Sequence, residues 1–250
     1  MQMDRFFPAH TELEIGVNPI GKFYLPTDAP KDRVLHEIRY GSIYQEEIIR
    51  SLGESLLPGD TVIDLGANVG QMSVYASKRV GPTGTVISIE ADPYMSYVLN
   101  KNILLNKAYN CKVFSAAAWD KSGEYLPYPD PDLRRFDSLG SYGITPKSTT
   151  SRKVPSLAID DLELKQVRFV KIDIQGSDLK ALQGMKDTIH RCSPFIIMEY
   201  ESIFDKDFSS SWEDYLSFFE DIGYVISGWP TPDNFFLRRR IGSDEKNVSQ

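Results

Sequence analysis

One carboxylate and two glycines give the first indication of chemistry in this chain of 250 residues. An apolar run that begins at Thr61 ends at Asp64, and Gly66 and Gly70 follow with three residues between them. An apolar run, a glycine pair and a series of helix formers are typical of a strand, a tight turn and a helix. In open α/β sheets such a turn borders the crevice in which ligands bind. The spacing therefore predicts a ligand site at residues 61–71.

The same turn lacks the patterns of two common phosphate sites. A dinucleotide site needs G-x-G-x-x-G, and Asn68 stands where its second glycine belongs. The phosphate loop of nucleotide-hydrolysing enzymes ends in Gly-Lys-Ser or Gly-Lys-Thr, whereas this turn ends in Gly70 and Gln71. The ligand is therefore expected to be recognised without a pyrophosphate.

S-adenosylmethionine has the groups that the remaining residues can recognise. Glu90, at the end of the next predicted strand, is expected to accept hydrogen bonds from a ribose diol. Asp64 would hold the turn or face the cofactor's ammonium, directly or through water. Gly66 would let the main chain approach the cofactor, and we assign Asn68 and Gly70 to the same cofactor site. The alternative is that both carboxylates only cap helices.

Helices and strands alternate around this turn. Beyond the strand at Thr61, the predicted strands cover residues 85–89, 111–118, 167–172, 194–198, 224–227 and 235–239. The predicted helices cover residues 43–57, 72–80, 92–105, 179–190 and 211–222. This alternation predicts an α/β fold with a parallel sheet and right-handed crossovers. Small residues at the end of the third strand, Ser115 and Ala116, are expected to border the adenine.

The sequence divides into one main domain and three additions. Residues 43–240 are predicted to form the α/β domain, whose last two strands make an antiparallel hairpin. The proline-rich residues 1–42 predict an N-terminal cap of irregular or short-strand structure. Residues 119–152 are predicted to be an insertion, either a β-ribbon or a mobile active-site loop. The polar residues 241–250 are expected to be a flexible tail.

Composition narrows the classes of partner. A net charge of -7 argues against nucleic acid or an anionic membrane as the main partner, since both attract clustered Lys and Arg. We find neither a secretion signal nor an apolar stretch of the roughly 18 to 20 residues that cross a bilayer. Two cysteines and three histidines without metal spacing favour a cytoplasmic protein with no metal. The sequence gives no indication of the oligomeric state.

Three blocks together resemble the FkbM-type methyltransferase family. They are Asp64 to Gly70, Ile89 to Pro93, and Val170 to Asp178, and the similarity covers roughly residues 43–200. The resemblance implies a Rossmann-like class I methyltransferase fold with a seven-stranded, mostly parallel sheet. It also implies S-adenosylmethionine as cofactor and transfer of its methyl group to a hydroxyl of a sugar, a polyketide or a similar small molecule. The third block departs from the family's Lys-Ile-Asp-Val-Glu-Gly-x-Glu at Gln175 and Asp178.

A hydroxyl must lose its proton when it attacks a methyl group, so a base is expected near the donor. Asp173, at the end of the fourth strand, is predicted to be that base or to orient the acceptor. Glu199, at the end of the fifth strand, is the second catalytic candidate, and Lys171 is expected to pair with Asp173. The alternatives for Asp173 are a cap on the helix near Ser177, a contact to the cofactor, and a metal ligand.

The sequence leaves two questions open. Aromatic residues of the cap and insertion are expected either to stack on the acceptor or to pack structurally. They are Tyr40, Tyr44, Trp119, Tyr125, Tyr128 and Tyr142. The alternatives to O-methylation are a protein that binds S-adenosylmethionine without transferring its methyl group, which Gln175 suggests, and a methyltransferase acting on nitrogen or on a macromolecule.

Overall fold

The computed structural model describes residues 12–27, 29–129, 138–147 and 152–240. The predicted tail at 241–250 lies outside the described residues, as do the first eleven residues of the cap and parts of the insertion. Among the described residues, no helix is both long enough and apolar enough to cross a membrane.

Seven strands form the main sheet. They are β3 (Thr61–Leu65), β4 (Thr85–Glu90), β5 (Cys111–Ser115), β9 (Phe169–Ile172), β10 (Phe195–Glu199), β11 (Tyr224–Gly228) and β12 (Asn234–Arg239). Their order is β11-β12-β10-β9-β3-β4-β5. Strand β12 is antiparallel to β10 and β11, and the pairs β3/β4, β4/β5, β3/β9 and β9/β10 are parallel. This confirms the mostly parallel sheet with a C-terminal antiparallel hairpin.

Helices cover both faces of this sheet. They are α1 (Arg33–Arg39), α2 (Glu46–Ser55), α3 (Gln71–Val80), α4 (Pro93–Leu105), α5 (Asp178–Gln183), α6 (Lys186–Cys192), α7 (Asp205–Phe208) and α8 (Trp212–Asp221). One apolar cluster packs α2, α3 and α4 on one face, and a second packs α5, α6 and α8 on the other. Strand β3 is buried along its whole length, as a central strand between two helical layers must be.

The helix predicted over 179–190 is in fact two helices. Gly184 separates α5 from α6, and a Cβ placed there would lie 1.9 Å from the carbonyl oxygen of Trp119. Asp160, from a distant segment, accepts hydrogen bonds from the main-chain N–H groups of Asp187 and Thr188 and so caps the start of α6. The break therefore depends on contacts that are not local in sequence.

The strand predicted over 111–118 is also divided. Strand β5 ends at Ser115, and residues Ala117–Ala118 form β6 in a small sheet with β8 (Lys153–Leu157) and β7 (Tyr125–Pro127). Strand β7, within the predicted insertion, pairs antiparallel with β8, which begins directly after the insertion.

The N-terminal cap is more regular than its prolines suggested. Strands β1 (Leu13–Val17) and β2 (Lys22–Pro26) form a hairpin, and helix α1 follows. Asp32 accepts a hydrogen bond from the N–H of Leu35 and caps α1. The expectation of only irregular or short-strand structure was wrong for α1.

Candidate active site

Gly66 brings the first turn against the loop that follows β9. Its φ is +78°, and a Cβ built there would lie 1.9 Å from the carbonyl oxygen of Asp173. The N–H groups of Gly66 and Ala67 both donate to the carbonyl oxygen of Ile89, at 3.0 Å each. Only glycine lets these three strand ends meet so closely. Their meeting creates the crevice that the sequence predicted.

Asp64 lies at the bottom of that crevice and is fully buried. Its Oδ2 accepts a hydrogen bond of 2.6 Å from the Ser73 hydroxyl of α3. Its Oδ1 lies 3.9 Å from Nζ of Lys171 and has no hydrogen-bond partner among the described residues. Burial raises the pKa of Asp64, and Lys171 offsets part of that effect. Asp64 thus holds helix α3 with one oxygen and leaves the other available to a cationic ligand.

Glu90 holds the turn from the neighbouring strand. Its two oxygens accept main-chain hydrogen bonds from Asn68, at 2.8 Å, and from Asp92, at 2.9 Å. A carboxylate has about four acceptor positions, so each oxygen retains capacity for a ligand hydroxyl. Burial raises the pKa of Glu90 to about 7. Helix α4 is capped by Asp92, so Glu90 is not that helix's cap.

One cavity of about 310 Å³ connects these groups. Of the residues predicted to serve the cofactor or catalysis, seven line it: Asp64, Gly66, Asn68, Glu90, Ala116, Asp173 and Glu199. The two others, Ser115 and Gly70, are not among the lining residues. Ser115 is exposed at the end of β5, and Ala116 to Ala118 line the cavity instead. Gly70 is left-handed, with φ +88°, and its missing side chain makes room for Leu99 of α4.

Lys171 is the cation at the centre of the site. It lies opposite Asp64 in the register of β3 and β9, with Nζ 3.2 Å from Oδ2 of Asp173 and 3.1 Å from the carbonyl oxygen of Gly66. Burial alone would lower the pKa of Lys171, but Asp173 and Asp64 outweigh it and raise the value. The predicted pairing of Lys171 with Asp173 is confirmed.

Asp173 and Glu199 form a hydrogen-bonded carboxyl pair. Burial acts to raise the pKa of Asp173, yet Lys171 and the hydrogen bond from Glu199 hold it below its usual range. Burial and the charge of Asp173 raise the pKa of Glu199 well above its usual range. At neutral pH the pair therefore consists of an ionised Asp173 and a protonated Glu199.

The two departures in the third block have separate roles. Gln175 lines the cavity and donates from Nε2 to Oδ1 of Asp173 at 3.3 Å. Asp178 accepts from the N–H groups of Ile174, at 3.3 Å, and Gly176, at 3.1 Å, and so fixes the loop between β9 and α5. Gln175 supports the negative charge of Asp173, whereas a second carboxylate there would raise the pKa of Asp173.

The aromatic residues fall into two groups. Tyr44, Tyr128 and Tyr142 line the cavity. Tyr40 and Tyr125 are largely exposed outside it, and Trp119 packs near Phe208 and Lys180. The sequence does not distinguish the aromatic residues that line the cavity from the others, because their positions depend on how the cap and insertion fold against the sheet.

Asp32 joins the cap to the insertion above the cavity, a link that the sequence did not reveal. Its side chain is fully buried, and its Oδ2 accepts hydrogen bonds from the hydroxyl of Ser138, at 3.0 Å, and the N–H of Leu139, at 2.7 Å. Ser138, Leu139 and Gly140 also line the cavity. The cap and the insertion therefore form one cover over the site.

Comparison with known proteins identifies the family. A family model described as the methyltransferase FkbM domain matches residues 64–226, well over half of the chain. The chain belongs to the FkbM methyltransferase domain family. This confirms the resemblance seen in the sequence, and with it the Rossmann-like fold and S-adenosylmethionine as the cofactor.

Solved structures of similar fold have low sequence identity. Methyltransferase FkbM from Methylobacillus flagellatus is 22% identical, with a TM-score of 0.45, and the match covers 72% of this chain and 43% of that one. A putative rRNA-methylase from Clostridium thermocellum is 10% identical, with a TM-score of 0.50, and the match covers 78% and 95%. This chain thus spans less than half of the FkbM structure.

One curated protein shows a short local similarity. The arsenite methyltransferase of Halobacterium salinarum is 38% identical over 56 residues, which are 22% of this chain and 14% of that protein. The chain therefore matches only a small part of this relative.

The described residues fit the cofactor. The unpartnered Oδ1 of Asp64 suits an ammonium, and the spare acceptor capacity of Glu90 suits a ribose diol. Gly66 contributes only main-chain atoms to the cavity lining, because the carbonyl of Asp173 takes the space that a side chain would need.

Proposed function

We propose that this protein is an S-adenosylmethionine-dependent methyltransferase that methylates a hydroxyl group of a sugar or another small natural product. The observation that carries the proposal is the side chain of Asp173, whose Oδ2 lies 3.2 Å from Nζ of Lys171 in the wall of the same cavity as Asp64 and Glu90. A carboxylate in this place suits an acceptor that must lose a proton as it is methylated.

When bound, S-adenosylmethionine supplies a methyl group that is already electrophilic at its sulfonium. Asp173 would accept a hydrogen bond from the acceptor hydroxyl and take its proton as the oxygen forms its bond to the methyl carbon. Lys171 and Gln175 hold the carboxylate of Asp173 in place during this step. Glu199, protonated at rest, donates to Asp173 and helps to keep it ionised.

The cover over the cavity supports a small acceptor. Ser138 and Leu139, which are bonded to Asp32 of the cap, line a cavity of about 310 Å³ that must also hold the cofactor. The room left beside the cofactor favours a small acceptor. The net charge of -7 is unfavourable for nucleic acid. A soluble metabolite that enters beneath the cover fits both observations.

The test compares Asp173→Asn with the native protein. Labelled S-adenosylmethionine is incubated with a panel of hydroxylated metabolites, and its binding is measured separately by calorimetry. We expect methyl transfer to fall about 100-fold or more, the range for loss of a general base, while cofactor binding persists. Asp120→Asn is the control, because Asp120 pairs with Lys180 outside the cavity lining and its loss should leave transfer unchanged.

Three other results would each contradict part of the proposal. Absence of cofactor binding by the native protein would remove a methyltransferase function altogether. Binding without transfer to any metabolite would favour a protein that only binds the cofactor. Transfer to amines and not to hydroxyls would replace O-methylation with N-methylation.

A further inference from the structure

Tyr44 lies in the chain before α2, lines the same cavity as Asp173 and Glu199, and is half-buried. Burial, and after it the charges of Asp173 and Glu199, raise the pKa of the Tyr44 phenol. Tyr44 therefore belongs to the wall of the cavity that we assign to methyl transfer.

The main chain of Tyr44 is held by the glycine turn itself. Gln71, directly after Gly70, has a buried side chain. Its Nε2 donates to the carbonyl oxygen of Tyr44 at 2.9 Å, and its Oε1 accepts from the N–H of Tyr44 at 3.3 Å. Asn18 donates to the same Oε1 at 2.9 Å and braces it. One amide thus holds both polar main-chain groups of Tyr44.

The chemistry around Tyr44 suits a cation. The faces of aromatic rings attract cations, and the guanidinium carbon of Arg33 already lies 5.9 Å from the Tyr44 ring centroid. Arg33 is exposed, so solvent screens its charge. Tyr44 shares its cavity with the carboxylates of Asp64 and Asp173, which favour a positive group there.

We propose that Tyr44 is a donor-binding residue whose ring contacts the sulfonium of S-adenosylmethionine, and that Gln71 is the residue that positions it. The proposal rests on the proposed function, since it assumes that the cofactor binds in this cavity. A contact between the ring and the sulfonium depends on the positive charge of the sulfur. Tyr44 should favour the sulfonium of S-adenosylmethionine over the neutral thioether of S-adenosylhomocysteine.

The experiment measures the affinities of both ligands by calorimetry and needs no acceptor. In Tyr44→Leu we expect the affinity for S-adenosylmethionine, relative to that for S-adenosylhomocysteine, to fall about threefold to tenfold, from the usual strength of a cation–aromatic contact. Tyr44→Phe keeps a ring and should keep most of the native ratio. Tyr40→Leu is the matched control, because Tyr40 lies four residues earlier in the chain but is 72% exposed and lies against His36.

Gln71→Ala tests the positioning role. It keeps the ring of Tyr44 but removes its support, so the ratio should fall as in Tyr44→Leu. A purely structural role would weaken both ligands equally and leave the ratio unchanged.

An unchanged ratio in Tyr44→Leu, or an equal loss of both ligands, would overturn the proposal. If the leucine variant fails to fold, Tyr44→Met gives the same comparison with a flexible apolar side chain. A native protein that binds neither ligand would instead contradict the proposed function, so the two failures are distinguishable.

Discussion

Gly66→Ala should destabilise the protein because the new methyl group has no room. At φ +78° an alanine costs about 1 to 3 kcal/mol in backbone strain. Its Cβ would also lie 1.9 Å from the carbonyl oxygen of Asp173. The two segments would therefore have to separate by about 1.5 Å or more to reach an ordinary contact. The substitution therefore acts on the contact between the two halves of the site.

That separation would disturb two hydrogen bonds. The N–H of Asp173 donates to the carbonyl oxygen of Leu65 at 3.2 Å, and Nζ of Lys171 donates to the carbonyl oxygen of Gly66 at 3.1 Å. A neutral hydrogen bond contributes about 1 kcal/mol and a charged one about 1.5 to 3 kcal/mol. Together with the backbone strain, we expect Gly66→Ala to lower the unfolding free energy by about 3.5 to 7 kcal/mol in total.

The control separates steric contact from backbone strain. Gly223 has a similar φ of +71°, but a Cβ there would meet nothing within 4 Å. Urea unfolding should show that Gly223→Ala costs only the backbone strain, and so about 2 to 4 kcal/mol less than Gly66→Ala. The separation of the two segments in Gly66→Ala should also weaken S-adenosylmethionine binding by more than about tenfold, which corresponds to about 1.4 kcal/mol of binding free energy. Gly223→Ala should leave that affinity unchanged. Equal losses of stability in the two variants would refute the steric argument.

Two further predictions concern charge. Lys171→Met leaves Asp64 and Asp173 buried without a cation, so urea unfolding at neutral pH should show that the unfolding free energy falls by about 3 to 5 kcal/mol. In acid the fall should be smaller, because the carboxylates are then protonated. Lys180→Met, which breaks a partly exposed ion pair, should cost at most about 1 kcal/mol, and a similar loss in both variants would contradict the assigned role of Lys171. Because burial raises the pKa of Glu90 from 4.5 to about 7, the folded protein keeps a proton that the unfolded chain releases. The contribution of this proton to the unfolding free energy should be complete below pH 4.5 and should be lost as the pH rises through 7. In Glu90→Gln the unfolding free energy should no longer show this decline. Identical pH profiles of the native protein and the variant would argue against a buried, neutral Glu90.

The sheet and the positions of the acidic residues were predictable because their signals are local. An apolar run that ends in a carboxylate predicts a strand end, and parallel strands bring such ends to one edge. This reasoning placed Asp64, Glu90, Asp173 and Glu199 around one cavity. The assignment of Ser115 beside the adenine failed locally, because β5 ends at that residue and the chain continues into another sheet.

The cover of the site was not predictable because long-range hydrogen bonds hold it. Asp32 joins residues more than 100 positions away, and nothing near Asp32 in sequence indicates Ser138 or Leu139 as partners. Likewise, Gln71 follows the glycine turn like any helix former, yet its amide holds Tyr44. Polar side chains that bond to distant main-chain groups leave no periodic signal in the sequence.

The charges around Lys171 explain why the site is suited to a cationic donor. Lys171 carries one positive charge between two carboxylates, Asp64 and Asp173, while Glu199 holds its proton. The group therefore has an excess of one negative charge, and Asp64 retains an oxygen without a hydrogen-bond partner among the described residues. A glutamate in place of Gln175 would add a second negative charge beside Asp173 and raise that residue's affinity for a proton. The amide of Gln175 instead donates a hydrogen bond to Asp173 and favours its ionised form, so this departure from the family pattern is compatible with the proposed role of Asp173 as the base.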